Sequence, residues 1–392
     1  MKTVRLYASW DPKPAFKLGN KDISGKLTYL GSQVWRNPEL RIEDVPIPTI
    51  KPNEVLIEVK RCGICGSDVH MYQINEDGYI WYPGLTAFPC TLGHEFAGVV
   101  AKAGNEAINK RTNKRFEEGE PVTVEEMVWC GQCKPCCDGY PNHCEALQEI
   151  GFSIDGAYAK YIAAPAKLCW SLKKLEGKYQ DIFMNGSLVE PTSVAYNAVI
   201  ERGGGIRPGE NVVILGAGPV GIAATAILKR AGASVVLVSE PNPHRAAMAK
   251  KMGADYTINP AEENFVDKVK ECTDNEGAAL YLEATGLPHI VTDDIQNCIW
   301  ETKSVNSTVV IVARADQRMP LMGEVFQVRR GKIVGAQGHS GHGTFPNVIS
   351  LMGSGMDMSP MITKTIKLEE VPENLKLLQT DRENCKISVK MD

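Results

Sequence analysis

The segment CGQCKPCCDGYPNHC, residues 130–144, places five cysteines within fifteen residues. Cys130, Cys133, Cys136 and Cys144 follow the spacing C-x2-C-x2-C-x7-C. A C-x2-C turn brings two sulfurs together, the next C-x2-C step continues the wrap, and the longer gap lets the chain return to close a tetrahedron. Zinc takes four ligands in that geometry, with thiolates at about 2.3 Å. Four sulfurs leave no open position, so a metal held there is structural; an iron–sulfur centre is the other metal that such thiolates could hold. Cys137 is the extra sulfur and could take the place of Cys136. A disulfide knot is the competing explanation of the cluster. The N-terminal MKTVRLYASWDPKP lacks an apolar stretch of signal-peptide length, which implies a cytoplasmic protein, and disulfides are rare in that compartment.

Two further stretches, CGICGSDVH at 62–70 and GHEFAG at 93–98, offer a different donor set: Cys65, His94 and the adjacent Glu95. A catalytic zinc takes three protein ligands and keeps one position for water or substrate. Glu190 in SLVEPTSVAY, at the junction between the two halves of the chain, is the candidate third ligand. Taken singly these residues have plainer uses. Cys65 would serve as a small buried hydrophobe, His94 as a core histidine, and Glu190 as a cap for the helix that follows. Their occurrence together with the cysteine cluster and a nucleotide motif joins them into one site.

That motif is G-x-G-x-x-G, formed by Gly216, Gly218 and Gly221. The first glycine permits a tight turn, the second lets the backbone approach a pyrophosphate, and the third lets a helix pack closely. Pro219 and Val220 open that helix, whose unpaired N–H groups would face the phosphates. Glu240, at the end of the next strand, would accept hydrogen bonds from an adenosine ribose and repel a 2′-phosphate, which favours NAD over NADP. Arg245 weighs the other way, since an arginine there can serve a 2′-phosphate.

These residues need elements to hold them, and 392 residues suffice for two or three domains. Residues 1–60 read as β-rich, with apolar and polar residues alternating in RIEDVPIPTIKPNEVLIEVK. FAGVVAKAG, EPVTVEEMVW and GAYAKYIAAP continue the pattern, interrupted by two polar inserts at 74–88 and 105–116. Near residue 190 the character changes. NVVILGAGPVGIAATAILKRAGASVVLVSE reads as strand, glycine turn, helix and strand, the signature of a βαβ unit. ALYLEATG, STVVIVARA and KIVGAQG extend a doubly wound sheet to about residue 337, and FPNVISLMGSG in the tail reads as helical. The formal charge of -4 argues against a nucleic-acid binder, and no apolar run is long enough to span a membrane.

The ordered set CGICGSDVH, GHEFAG, the four-cysteine lobe, VEPTSVA and GAGPVG resembles the zinc-containing medium-chain alcohol and polyol dehydrogenases over nearly the whole chain. The resemblance implies an α/β protein: a GroES-like β-rich catalytic domain over 1–190, to which 338–392 return, and a Rossmann dinucleotide-binding domain over 191–337. It implies a structural zinc on Cys130, Cys133, Cys136 and Cys144. It also implies a catalytic zinc on Cys65, His94 and Glu190, with Glu95 near enough to exchange in. A glutamate in VEPTSVA, where many alcohol dehydrogenases use a cysteine, points to polyol or hydroxy-ketone substrates. The two inserts and the run GEVFQVRRGKIVGAQGHSGHGTFPNVISLMGSGMDM bring the chain nearest to the inosose-oxidising members of inositol breakdown.

The implied reaction is reversible hydride transfer between a zinc-polarised secondary alcohol and NAD. Ser67 would take the alcohol proton and His70 pass it to solvent, since an imidazole titrates near neutrality; the plainer uses are a turn residue and a surface side chain. Thr285, in the Glu283–Gly286 loop, and the stretch 312–316 are expected to line the nicotinamide site. His339 and His342 would either line a cleft or sit in a flexible crossing. Tyr79, Trp81 and Tyr82 would either cover the pocket or pack between subunits of a homodimer or homotetramer. A threonine or sorbitol dehydrogenase on the same machinery is the nearest alternative, and a non-catalytic zinc-binding relative the more distant one.

Overall fold

The computed structural model describes the chain except residues 21, 23–29, 110, 315–317, 340 and 392. The chain divides into two compact units. The first comprises Met1–Glu190, Phe345–Arg382 and Lys386–Asp392, and the second Pro191–Thr344 with Glu383–Cys385.

The first unit is built on a seven-stranded sheet whose middle strand is Glu54–Ile64. Alternating burial along EVLIEVK matches its period-two sequence pattern. Glu95–Ala103 pairs antiparallel along one part of this strand, and Lys386–Lys390 along its last residues. Register decides the chemistry here: Gly63 lies opposite Glu95 on one side and Ser388 on the other. Strand, neighbour and C-terminal strand therefore converge where Cys65 begins the helix Gly66–Tyr72. A second sheet, Trp35–Asp44, Lys2–Trp10 and Cys90–Thr91, runs into the loop that presents His94.

The second unit has six parallel strands in the order Tyr256–Ile258, Val236–Ser239, Val212–Leu215, Leu280–Glu283, Thr308–Ile311, Lys332–Gly335. Three of its inner strands, VVIL, VLVS and LYLE, are buried throughout and apolar up to the closing Ser239 and Glu283, as a sheet covered on both faces requires. The strand order reverses between Val212–Leu215 and Leu280–Glu283, the place where doubly wound sheets bind ligands at strand carboxyl ends. Gly216, Glu240 and the Glu283–Gly286 loop all lie at those ends. The tail segment FPNVISLMGSG forms most of the helix Thr344–Gly353. Among the described residues, no helix is long and apolar enough to cross a membrane.

Candidate active site and metal centres

The four-cysteine lobe is assembled by short turns around the helix Lys134–Cys137. Cys130, Cys133, Cys136 and Cys144 present sulfurs that all lie within 4.8 Å of one another. Cys137 is exposed and outside the group, which settles the choice left open by spacing. The Cys133 and Cys144 sulfurs are 3.8 Å apart. A tetrahedron with 2.3 Å bonds has edges of about 3.8 Å, whereas a disulfide spans about 2.05 Å. Backbone N–H groups of Gln132 and Cys133 donate to Cys130 Sγ, both at 3.4 Å, and draw that thiol down to about 6. Those of Cys130 and Ala146 donate to Cys144 Sγ at 3.3 and 3.4 Å. Burial pushes the Cys136 thiol up to about 12 and raises that of Cys144, so the four sulfurs become thiolates together only with a cation among them, and the donor set fits a closed zinc site. All twelve cysteines are free, and the disulfide explanation fails.

The second donor set also comes together. Cys65 Sγ, one His94 nitrogen and one Glu95 oxygen lie within 4.8 Å of one another. Glu190 falls outside this group. It is buried in the first turn of the helix Val189–Tyr196, with a carboxylate oxygen within 4.8 Å of one on Glu126. The carboxylate that register places beside Cys65 and His94 is Glu95. Glu190 is nonetheless near enough to help hold the Lys386 ammonium charged.

Three further residues complete this site. Lys386, 1 % exposed at its side chain, bonds both Glu95 oxygens at 2.6 and 2.7 Å and the Ile64 carbonyl at 3.1 Å. Burial opposes its charge, but Glu95, Cys65 and Glu190 outweigh that and hold its pKa above the ordinary lysine value. Asp68, fully buried on the Cys65 helix, accepts the Cys65 N–H at 2.9 Å and faces His94 Nδ1 at 3.6 Å. Burial disfavours a charged His94, yet Asp68 and Cys65 raise its pKa well above the usual histidine value. The Tyr158 hydroxyl lies 2.9 Å from Asp68 Oδ2, and burial followed by that carboxylate keeps the phenol protonated. Asp68 was visible in CGICGSDVH as an acid three residues past Cys65, the position that accepts a helix-start N–H.

Ser67 Oγ lies 3.5 Å from His94 Nε2, so the hydroxyl stands at the edge of the ligand group. His70 follows one turn later and is exposed, with its ring 6.3 Å from that of Trp81. Partial desolvation of the ring, then the Arg382 charge, lowers its pKa below the ordinary histidine value. The three insert aromatics divide. Tyr79 is buried under Lys13 and Arg36, away from this role. Trp81 is half exposed beside His70, and Tyr82 packs on Phe152, which itself lies 4.5 Å from the His94 ring.

In the second unit the glycine loop behaves as its spacing demands. Gly216 has φ +98°. A Cβ at Gly221 would stand 1.9 Å from the Gly216 carbonyl oxygen. A Cβ at Gly218 would meet nothing of the protein within 4 Å, so that glycine keeps open space before the loop. The helix Pro219–Arg230, with Val220 in its first turn, has no side-chain cap, which leaves its first N–H groups free for an anion. This cradle fits a dinucleotide pyrophosphate. Glu240 accepts the Ala217 N–H at 2.8 Å through one oxygen and the Asn242 N–H at 2.9 Å through the other, so it also braces the loop. Arg245 starts the helix Pro243–Lys251 under the Asn242 cap. The Thr285 hydroxyl donates to Glu283 at 2.6 Å, and its methyl would lie 3.0 Å from a Cβ at Gly216. Thr285 thus holds its own loop against the glycine turn. Of the stretch 312–316, residues 315 and 316 lie outside the described residues. His339 is buried, with its carbonyl accepting from Thr344 Oγ1, whereas His342 is exposed at φ +51°.

A parallel sheet with a glycine-rich cradle in one unit, and two cysteine-containing donor clusters in the other, are the features of a zinc- and dinucleotide-using oxidoreductase. Comparison with known proteins places it further. Residues 51–174 match the alcohol dehydrogenase GroES-like domain and residues 219–354 the zinc-binding dehydrogenase domain. The chain is 64% identical to the scyllo-inosose 3-dehydrogenase of Thermotoga maritima over 99% of both chains. It is 32% identical to the L-threonine 3-dehydrogenase of Caldanaerobacter subterraneus subsp. tengcongensis, over 85% of this chain and 90% of that one. A solved structure from Thermotoga maritima, provisionally described as an alcohol dehydrogenase, superposes with a TM-score of 0.98 at 64% identity and covers 99% of each chain. The chain belongs to the zinc-binding, GroES-like alcohol dehydrogenase family.

Proposed function

We propose that this enzyme is a zinc- and NAD-dependent cyclitol dehydrogenase that acts on scyllo-inosose in inositol breakdown. Full-length identity of 64% to a scyllo-inosose 3-dehydrogenase carries the substrate reading. In this reading 1–190 and 338–392 form the catalytic domain and 191–337 the nucleotide-binding domain. Cys130, Cys133, Cys136 and Cys144 hold a structural zinc. Cys65, His94 and Glu95 hold a catalytic one, with Glu190 as the second carboxylate in reach. Twelve free cysteines suit a reducing cytoplasm. The edge strand Lys332–Gly335, exposed at both ends, supports pairing of copies into a dimer or tetramer.

When bound, zinc supplies Lewis acidity toward a substrate oxygen, and the nicotinamide supplies the hydride carrier. The chain's own residues do the rest. Gly216, Gly218 and Gly221 with the first turn at Pro219 and Val220 cradle the pyrophosphate. Each Glu240 oxygen spends one acceptor site on a backbone N–H, that of Ala217 or of Asn242, and keeps another for a ribose hydroxyl, which supports NAD; Arg245 follows five residues on. Thr285 keeps the neighbouring loop closed on the glycine turn. Ser67 accepts the substrate hydroxyl proton, and His70 takes it on toward solvent. Because partial desolvation and the Arg382 charge lower its pKa below the usual histidine value, His70 remains a proton acceptor at neutral pH.

Two measurements test this. NADH formation is to be screened with scyllo-inosose, myo-inositol, sorbitol, threonine and simple alcohols; activity confined to threonine overturns the substrate reading. His70→Gln is expected to lower kcat/KM about 100-fold and to remove an acidic limb that lies below pH ~6.5. An unchanged limb in that variant assigns the relay to another group.

A further inference from the structure

The loop carrying His94 and the helix carrying Cys65 come from separate parts of the chain, so something must fix their separation. Residues 156–158 do this from the His94 side by backbone bonds. The N–H groups of Gly156, Ala157 and Tyr158 donate to the carbonyls of Thr91, Gly93 and Leu92 at 2.7, 2.7 and 2.9 Å. The Tyr158 ring then lies against the residue just before His94. A Cβ at Gly93, whose φ is +89°, would stand 2.6 Å from that ring, which explains the glycine of GHEFAG. The side chain continues to the other side of the site. Its hydroxyl lies 2.9 Å from Asp68 Oδ2 and 3.2 Å from the Gly63 carbonyl oxygen, on the helix and on the strand end that flank Cys65.

Asp68 Oδ2 therefore receives two donors, the Tyr158 O–H and the Cys65 N–H. With one oxygen pinned, the other is turned toward His94 Nδ1 at 3.6 Å. At 3.6 Å this is a close electrostatic contact on the Nδ1 side of the ring, which leaves Nε2 as the ligating nitrogen.

We infer that the Tyr158 hydroxyl is a positioning group for the metal site, fixing the Asp68 carboxylate so that it orients His94 relative to Cys65. The inference rests on reading Cys65, His94 and Glu95 as metal ligands. Tyr158 touches no reacting atom and acts only through Asp68 and the backbone it braces.

The test is Tyr158→Phe, which keeps the ring against Gly93 and removes only the oxygen. Metal release from the cobalt-loaded protein to a chelator is followed spectroscopically, with the four-cysteine lobe as the internal reference. The Cys65–His94 metal is expected to leave about 10-fold faster, while release from the lobe is unchanged. In an Asp68→Asn background, Tyr158→Phe is expected to add nothing, because the group it acts through is already altered. Equal release rates in parent and variant overturn the inference. So does a uniform acceleration at both sites, which marks general loosening, or an undiminished effect in the Asp68→Asn background. A parent protein that takes up only one metal per chain overturns the reading of the site itself, and this inference with it.

Discussion

Cys65→Ser is expected to reduce NAD-linked turnover by on the order of 10³-fold or more and to lower bound zinc from about two per chain to about one. The sulfur is one corner of the group in which Cys65, His94 and Glu95 present donors within 4.8 Å. A serine hydroxyl at that corner is a poorer, harder ligand that stays protonated at neutral pH. The loss concerns Lewis acidity toward the substrate, so kcat/KM falls while dinucleotide binding in the second unit stays near its parent value. The four-cysteine lobe is a separate cluster, so a zinc held there is expected to stay. Metal analysis alongside steady-state kinetics decides the matter. A variant that keeps both metals and most of its turnover removes Cys65 from the mechanism.

The other large effect is expected in folding stability. Lys386→Met leaves the Glu95 carboxylate, fully buried, without the ammonium that bonds both its oxygens. Stranding one member of a buried ion pair costs about 3–5 kcal/mol. For a unit of this size that corresponds to a fall in Tm of roughly 6–20 °C. Adding Glu95→Gln to Lys386→Met is expected to recover most of the loss, because the pair is then replaced and not broken. The pH dependence follows from the direction of the lysine shift. A lysine whose folded pKa is raised contributes stability in full below its unfolded value of about 10.4 and loses it as pH rises through the folded value. The gap between parent and Lys386→Met is therefore constant from neutral pH to about 10 and closes only beyond it. A change in Tm below about 1 °C at pH 7 dismisses the pair as a stabilising element.

Glycine positions and cysteine spacing were legible because they are local. Turn geometry at Gly216, close packing at Gly221 and the sulfur cage of residues 130–144 depend on neighbours only a few residues away. The strand–turn–helix–strand run of the second unit was legible for a similar reason, since apolar period and turn residues act within one short window. Spacing alone left Cys137 open beside Cys136; the family resemblance favoured Cys136, and the fold gathers that sulfur with the other three.

Long-range register decided the remainder. In KISVK the apolar residues Ile387 and Val389 alternate with Lys386 and Ser388, so the polar face reads as solvated. Both faces are in fact covered, and Lys386 and Ser388 are as buried as the residues between them. Pairing of Lys386–Lys390 with the end of Glu54–Ile64 brings that lysine to Glu95, nearly 300 positions away in sequence. The same register puts Glu95 with Cys65 and His94 and leaves Glu190 outside the group. The sequence alone thus determined which donor types this protein has and the local turns that hold them. Which carboxylate joins Cys65 and His94, and which cation pairs with it, was decided by strand pairing between distant segments, which no local pattern encodes.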